Sequence, residues 1–208
     1  MLLLTGFAPF GGRERNPSAE AAASAAAALA EDGRPARAVT LPVSFARAWD
    51  ALAEAVAAAE AEGAPVTAVV ALGQAAGRRA VTPERVAVNL ADTEQPDEDG
   101  EAPRGEPIVV QGPTARADRL GVDRAVAALR TAGVPAAPSL SAGTFVCNAL
   151  AYRLLGWAQQ RRVPAGFVHL PLAPGQALEG TQPTLADDLQ ARAARVLGEV
   201  ALAAARTG

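Results

Sequence analysis

The hydrophobic positions of the chain fall into short runs that alternate in spacing between strand-like and helix-like. Continuous apolar runs at residues 2–5, 66–72 and 165–170 predict strands that are buried on both faces of a parallel sheet. Alternating apolar residues within residues 81–90 predict a half-buried strand. Two further strands are predicted, at residues 36–43 and 136–140.

Helices are predicted where apolar residues recur every three or four positions after a capping residue. Asn16 followed by Pro17 is typical of a helix start, with a capping side chain and then proline at the first helical position. Ser44 and Thr144 are predicted to cap two later helices. The predicted helices cover about residues 17–31, 45–62, 118–132, 145–162 and 184–204.

The order of these elements predicts the fold class. Strands and helices alternate along the chain, which is typical of an α/β protein with helices on both faces of a mostly parallel sheet. We therefore expect one domain over residues 1–208, a three-layer α/β/α sandwich with a mixed sheet. Residues 92–107 are acidic and rich in proline and glycine, so they predict a solvated loop, with a lid as the alternative.

Composition excludes several kinds of chemistry. All 19 cationic residues are arginine, so a Schiff-base lysine, a pyridoxal-phosphate lysine and a Walker-type phosphate loop are excluded. One cysteine and one histidine exclude the usual Cys/His zinc sites, and we predict neither a metal nor a cofactor. The net charge of −3 argues against nucleic acid as a partner.

A cytoplasmic protein is expected. A single cysteine forbids an internal disulfide, which fits a reducing compartment. The apolar N-terminal run lacks a basic segment and is interrupted by Gly6 and Pro9, so it does not resemble a signal peptide. The alanine-rich residues 21–30 are too few to span a membrane, and no membrane association is predicted.

The lone cysteine and the lone histidine are the candidate catalytic pair. Cys147 lies in the first turn of a predicted helix, where free N–H groups and the helix dipole favour a thiolate. His169 lies at the end of a strand, and the carboxyl edge of a parallel sheet brings such positions together. The alternative is that Cys147 is a small buried hydrophobe. Glu84 either orients the imidazole or forms an ion pair with Arg85 or another arginine.

These residues belong to a series of motifs that resembles the pyroglutamyl peptidase I family, also called pyrrolidone-carboxylate peptidases, which are cytosolic cysteine peptidases. The resemblance covers essentially the whole chain. Its blocks, in family order, are Thr5 to Gly12 with Asn16-Pro17, Leu41 to Val43, Gly73-Gln74 with Gly77-Arg78, Pro83 to Asn89, Glu106 to Ile108, Ser141 to Gly143 with Cys147-Asn148, and His169 before Pro171.

The resemblance implies a catalytic role for three of the residues. It makes Cys147 the nucleophile, His169 the general base and acid, and Glu84 the orienting carboxylate. The implied reaction removes an N-terminal pyroglutamyl residue from a peptide through a thioester, and relatives are often homodimers or homotetramers.

The resemblance also implies substrate-binding residues, each with a structural alternative. Phe7 and Phe10 would hold the lactam ring, although both could simply pack in the core. Asn16 and Gln74 would be polar residues of the same region, although Asn16 could serve only as the helix cap and Gln74 could be a solvated loop residue.

The chain departs from the family pattern at two positions. Glu94 stands where the family has an arginine associated with the oxyanion, and Leu172 stands where it has an aromatic residue. Either Arg78, Arg79 or Arg85 substitutes, or the loop is rearranged, or activity is reduced. Two other functions remain open at this point: hydrolysis of another small neutral acyl amide by the same residues, and binding of pyroglutamyl ends without catalysis.

Overall fold

A five-stranded, mostly parallel sheet organises the chain in the computed structural model, which describes residues 1–207. The strands are β1 (Leu2–Phe7), β2 (Ala36–Leu41), β3 (Ala68–Gln74), β4 (Thr82–Pro83), β5 (Val86–Val88), β6 (Ala115–Ala117) and β7 (Ala165–Leu170). The main sheet has the order β2-β1-β3-β7-β4, and only β4 runs antiparallel to its neighbour. Strands β5 and β6 form a separate antiparallel pair.

Five helices cover the two faces of the sheet in the described residues. They are α1 (Pro17–Glu31), α2 (Arg47–Ala61), α3 (Val122–Thr131), α4 (Val146–Arg161) and α5 (Asp187–Ala205). Helices α1, α3 and α5 pack on one face, while α2 and α4 pack on the other. The predicted α/β fold with helices on both faces of a mixed sheet is therefore confirmed. None of the helices in residues 1–207 has the length and hydropathy needed to cross a bilayer.

The central strands are apolar throughout because both of their faces are covered. Leu2 and Leu4 of β1 belong to the core beneath α1 and α5, whereas Leu3, between them, belongs to the core beneath α2 and α4. Successive side chains of a strand point to opposite faces, so a strand at the centre of three layers must be apolar at every position. This explains why the three continuous runs were identifiable as strands from the sequence.

The prediction of a single strand at residues 81–90 is wrong. Strand β4 ends at Pro83, and the chain then leaves the main sheet to form β5. Residues 136–140 also do not form a continuous strand, because Pro83 opposite them has no N–H to donate to the Ala137 carbonyl oxygen. They make only the isolated parallel bridges Val81 to Ala136 and Glu84 to Ser139. Alternation of apolar residues cannot show that a strand changes sheets halfway along.

The predicted helix caps are confirmed to different degrees. The side chain of Asn16 accepts a hydrogen bond from the N–H of Ser18, as predicted. Ser44 Oγ accepts from the N–H of Arg47, the first residue of α2. Thr144 does not cap α4: its Oγ1 donates to the carbonyl oxygen of Asp92, and Phe145 occupies the capping position.

Helix α1 begins unusually close to strand β1, and Gly6 allows that approach. A methyl group at Gly6 would overlap the backbone of Ser18 and Ala19 in the first turn of α1. The same approach lets Ser18 Oγ accept a 3.0 Å hydrogen bond from the N–H of Phe7. Gly6 therefore fixes the position of the loop that follows β1.

We expect Gly6→Ala to destabilise the protein by about 3 kcal/mol or more, because rigid backbone on both sides must move to admit the methyl group. Urea unfolding followed by circular dichroism measures this difference. Gly175→Ala is the matched control, since a methyl group there meets open space and should change stability by less than about 0.5 kcal/mol. Equal stability of the two variants would contradict the close approach of α1.

Candidate active site

Two sequence-predicted residues, His169 and Glu84, meet at the carboxyl edge of the main sheet. His169 is the penultimate residue of β7, and Glu84 follows β4 directly. The antiparallel register places Thr82 opposite His169, and the Glu84 N–H donates to the Phe167 carbonyl oxygen at 2.9 Å. Two residues that are 85 positions apart in the sequence are thus held side by side by one short strand pair.

The imidazole of His169 is hydrogen-bonded to the carboxylate of Glu84. The distance from Nδ1 to Oε1 is 2.8 Å, and the two side chains are only 5% and 2% exposed. A carboxylate accepts hydrogen bonds and does not donate them, so Nδ1 carries the hydrogen in this pair. Nε2 of a neutral ring is then an acceptor, as a general base requires.

Arg78 is the second partner of the Glu84 carboxylate. Its guanidinium lies 3.1 Å from Glu84 Oε1 and donates to the carbonyl oxygen of Ser141 at 3.0 Å. Arg85 instead pairs with Asp123 at the surface. Glu84 therefore makes both of the contacts that were considered for it: it contacts the imidazole, and it forms an ion pair with Arg78 rather than with Arg85.

Cys147 is the second residue of α4 and lies against the same face of the sheet as His169. A methyl group at Gly73 would lie 3.1 Å from Cys147 Sγ, and Gly73 is the register partner of His169 in the adjacent strand. The ring of Phe167 packs edge-on against the imidazole, with centroids 5.0 Å apart. Cys147 and His169 thus both lie beside Gly73, and the absence of a side chain at Gly73 makes room for the sulfur.

The environment of the thiol differs from the sequence-based expectation. Burial, and to a smaller extent the charge of Glu84, raise the pKa of Cys147 to about 12, although a hydrogen bond from its own backbone N–H opposes both effects. The start of α4 therefore does not yield a thiolate in the free protein. At neutral pH the sulfur carries its proton, and any nucleophilic attack must begin with its removal.

All five phenylalanines of the chain lie in or against the core cluster that includes Cys147. Phe7 is buried, with its ring 6.5 Å from that of Phe167, and Phe10 is half-buried. Phe45 and Phe145 are also half-buried and meet edge to face at 5.4 Å. Sequence reasoning found Phe7 and Phe10 but missed the others, although Phe145 stands only two residues before the cysteine.

The two predicted polar residues are both engaged within the protein. Asn16 is buried, and its amide donates to the Ala8 carbonyl oxygen in addition to capping α1. Gln74 follows Leu72 by two positions, so its side chain leaves the sheet on the face opposite Cys147. There it accepts a 3.0 Å hydrogen bond from Gln176, which also bonds the Arg15 carbonyl oxygen. A substrate-binding role for Asn16 and Gln74 stays a prediction.

The acidic loop at residues 92–107 is attached to the rest of the protein at several points. Its first residue exchanges two hydrogen bonds with Thr144, and Asp97, in its middle, is buried. Glu94 points to solvent, with its side chain 93% exposed and 3.7 Å from Arg104. Most of residues 92–107 are exposed, as the prediction of a solvated loop requires, and the alternative of a lid over the site stays a prediction.

No cluster of three or more metal-ligating His, Cys, Asp or Glu side chains occurs within residues 1–207. The side chains gathered at the sheet edge are one thiol, one imidazole, one carboxylate and one guanidinium, surrounded by aromatic rings. Such a set can perform nucleophilic acyl transfer with an oriented base.

A comparison with models of known protein families assigns the chain to a family. The model of the pyroglutamyl peptidase family matches residues 1–204. The chain belongs to this family. Among its relatives, the pyrrolidone-carboxylate peptidase of Streptomyces coelicolor is 45% identical over 99% of this chain and 92% of its own length. The enzyme of the same name from Bacillus subtilis is 40% identical over 94% of this chain and 89% of its own length.

Solved structures agree with the family assignment. The pyroglutamyl peptidase I of Bacillus amyloliquefaciens superposes with a TM-score of 0.87 at 36% identity and covers 96% of this chain and 93% of its own. The pyrrolidone carboxyl peptidase of Thermus thermophilus superposes with a TM-score of 0.77 at 40% identity and covers 95% and 98%. The pyroglutamyl peptidase fold is thus shared over nearly the whole chain.

The raised pKa of Cys147 predicts the pH dependence of its alkylation. Only the thiolate reacts with iodoacetamide, so below about pH 12 the labelling rate should rise about tenfold for each pH unit. In Glu84→Gln, which removes a charge that raises the pKa, the same profile should lie at lower pH. Mass spectrometry of the labelled protein measures the rate, and a plateau near neutral pH in the unmodified protein would contradict the raised pKa.

Proposed function

We propose that the protein is a cysteine exopeptidase that removes N-terminal pyroglutamyl residues from peptides. The observation that carries the proposal is the 2.8 Å hydrogen bond between His169 and Glu84, buried beside the only cysteine of a pyroglutamyl peptidase family member. In this proposal Cys147 is the nucleophile, His169 the general base and acid, and Glu84 the residue that orients the imidazole.

The protonated thiol defines the first step. As the sulfur attacks the pyroglutamyl carbonyl carbon, Nε2 of His169 takes the thiol proton, and a tetrahedral intermediate forms. His169 then returns this proton to the departing amine as the carbon–nitrogen bond breaks, which leaves a thioester on Cys147. Water attacks the thioester with His169 again as the base, and free pyroglutamate and the thiol are regenerated.

The oxyanion can be held by the start of helix α4. Backbone N–H groups in the first turn have no acceptor within the helix, and the N–H of Cys147 itself belongs to this group. One such donor typically lowers the barrier by about 2.7–4 kcal/mol. Three arginines were considered as replacements for the family arginine that this chain lacks at position 94. Of these, Arg78 is the one that contacts the site, through Glu84.

The aromatic surroundings of Cys147 favour a neutral, flat acyl group. A pyroglutamyl ring has one N–H, one carbonyl and no charge, so its pocket needs apolar walls and few polar groups. Residues 7–12 supply two phenylalanines and no acid, whereas an ordinary N-terminus would call for a carboxylate facing its ammonium group. This is why we favour pyroglutamyl peptides over other small acyl amides.

The sequence-based expectations of a cytoplasmic location and of a homodimer or homotetramer form part of this proposal. The resemblance to the family supports both, and the single cysteine fits a reducing compartment. A pyroglutamyl-terminated peptide is the proposed substrate, and no further partner is required for the reaction.

Substitution of the three catalytic candidates tests the proposal directly. We expect the unmodified protein to hydrolyse pyroglutamyl-aminomethylcoumarin, and Cys147→Ala or His169→Ala to lower kcat by at least about 10³-fold. Glu84→Gln should lower kcat by about 10²-fold or more, because the amide no longer enforces the hydrogen on Nδ1. Fluorescence release under saturating substrate measures kcat.

A second panel of acyl-coumarin amides separates the alternatives. Faster hydrolysis of prolyl or acetyl amides than of the pyroglutamyl amide would favour another acyl amide as substrate. Full activity of Cys147→Ala would exclude thiol catalysis, and tight binding of pyroglutamyl peptides without any turnover would favour a binding protein.

Glu94→Arg tests whether the missing cation limits the reaction. Residue 94 lies two positions beyond Asp92, which is bonded to Thr144 three residues before the nucleophile. A guanidinium there should raise kcat/KM about three- to tenfold at low salt, and less at high salt because charges at the surface are screened. Glu94→Gln, which removes only the negative charge, should change kcat/KM by less than about twofold.

Two results of this experiment would be informative against the proposal. If the unmodified protein is inactive and Glu94→Arg is active, the natural chain is not an active peptidase. If Glu94→Arg and Glu94→Gln behave alike at low salt, residue 94 does not act on the oxyanion.

A further inference from the structure

The acidic loop is attached by hydrogen bonds both to the cysteine turn and to the segment before α2. At one end the Asp92 N–H donates to the Thr144 carbonyl oxygen at 3.2 Å, and Thr144 Oγ1 donates to the Asp92 carbonyl oxygen at 2.6 Å. At the other end the Glu98 N–H donates to the Val43 carbonyl oxygen at 3.0 Å. The loop therefore connects the turn that carries Cys147 with the segment that carries Phe45.

Asp97 is the buried anchor of this connection. It is 6% exposed, and its carboxylate accepts three hydrogen bonds from backbone N–H groups. Oδ1 accepts from Asp99 and Glu101, each at 2.9 Å, and Oδ2 accepts from Phe45 at 2.8 Å. The first two bonds fold the loop on itself, and the third attaches the folded loop to Phe45. Hydrogen bonds to a charged acceptor are about twice as strong as neutral ones, so this anchor is firm.

Glu98, the next residue, reaches a second aromatic segment. Its Oε1 accepts a 2.9 Å hydrogen bond from the N–H of Gly11, immediately after Phe10. The neighbouring Asp99 points away and pairs with Arg47 at the surface. Adjacent carboxylates of one loop thus attach to two different segments, each beside a half-buried phenylalanine.

We propose that Asp97 and Glu98 are positioning residues that hold Phe45 and Phe10 in place around the cysteine turn and thereby set the shape of the pyroglutamyl pocket. Phe45 meets Phe145 edge to face, and Phe145 stands two residues before Cys147, so fixing the backbone of Phe45 restrains an aromatic ring of the cysteine turn. Neither carboxylate contacts the reacting atoms. This inference rests on the proposed function, because it assigns the pocket to the pyroglutamyl ring.

Asp97→Asn is the sharpest test because it keeps the shape of the side chain. An amide has one acceptor oxygen, so its NH₂ group must face either the Phe45 N–H or the N–H groups of Asp99 and Glu101. We expect KM for pyroglutamyl-aminomethylcoumarin to rise about tenfold, the equivalent of one unsatisfied buried N–H group. The kcat should change less than about threefold, and iodoacetamide should label Cys147 within about twofold of the unmodified rate, because the nucleophile is untouched.

Two neighbouring substitutions serve as controls. Asp99→Asn removes the same charge two residues away, from a surface ion pair, and should change KM by less than about twofold. Glu98→Gln keeps an oxygen for the Gly11 N–H and should also stay within about twofold, whereas Glu98→Ala should raise KM about three- to fivefold. The contrast between the Gln and Ala variants tests the hydrogen bond between Glu98 and Gly11 even if Asp97→Asn does not fold.

Binding to the inactive protein separates this inference from the proposed function. Calorimetry of a pyroglutamyl dipeptide with Cys147→Ala, with and without Asp97→Asn, measures the pocket without turnover. A roughly tenfold weaker affinity in the double variant supports the positioning role whether or not the unmodified protein cleaves the substrate. An unchanged affinity or an unchanged KM in Asp97→Asn would overturn the positioning role. A loss of Cys147 labelling in parallel with activity would also overturn it, and so would a Cys147→Ala protein that binds no pyroglutamyl dipeptide.

Discussion

The hydrogen bond between His169 and Glu84 is the constraint on which the candidate site depends. A buried carboxylate costs several kcal/mol in lost hydration, and it is retained only where partners replace the water. Here one oxygen of Glu84 meets both the imidazole and the guanidinium of Arg78. The short antiparallel strand β4 exists at the right place to bring these partners together, since its register with β7 fixes where Glu84 lies.

The same carboxylate disfavours a thiolate at Cys147, whereas a simple thiolate mechanism would need one to be stabilised. Its charge and the burial of the sulfur both raise the pKa of Cys147. A protonated thiol is nonetheless consistent with the proposed mechanism, in which His169 takes the thiol proton as the sulfur attacks the acyl group. Arg78 then offsets part of the Glu84 charge, and this limits how far the carboxylate disfavours the developing negative charge at the site.

Sequence patterns predicted the fold well where one physical cause acts alone. The apolar runs of β1, β3 and β7 and the Asn16-Pro17 helix start follow from burial on two faces and from helix capping, and both are confirmed. The change of sheet between β4 and β5 was not predictable, because alternation is the same in either sheet. The role of Thr144 was mispredicted for a similar reason: a capping residue type can bond any nearby acceptor, and here the acceptor is Asp92.

The reactive side chains of the candidate site were predictable from the sequence, but most of the aromatic residues around them were not. A single cysteine and a single histidine leave no choice of pair, so composition identified both. Phe45 and Asp97 carried no such signal. From the sequence, Phe45 is one apolar residue of an amphipathic helix, and Asp97 is one acidic residue of a charged loop. Their joint position depends on hydrogen bonds between segments 52 residues apart, which only the folded chain reveals. Family motifs indicate the candidate reacting groups, whereas the proposed positioning of the aromatic residues rests on contacts of a loop that lies between the motifs.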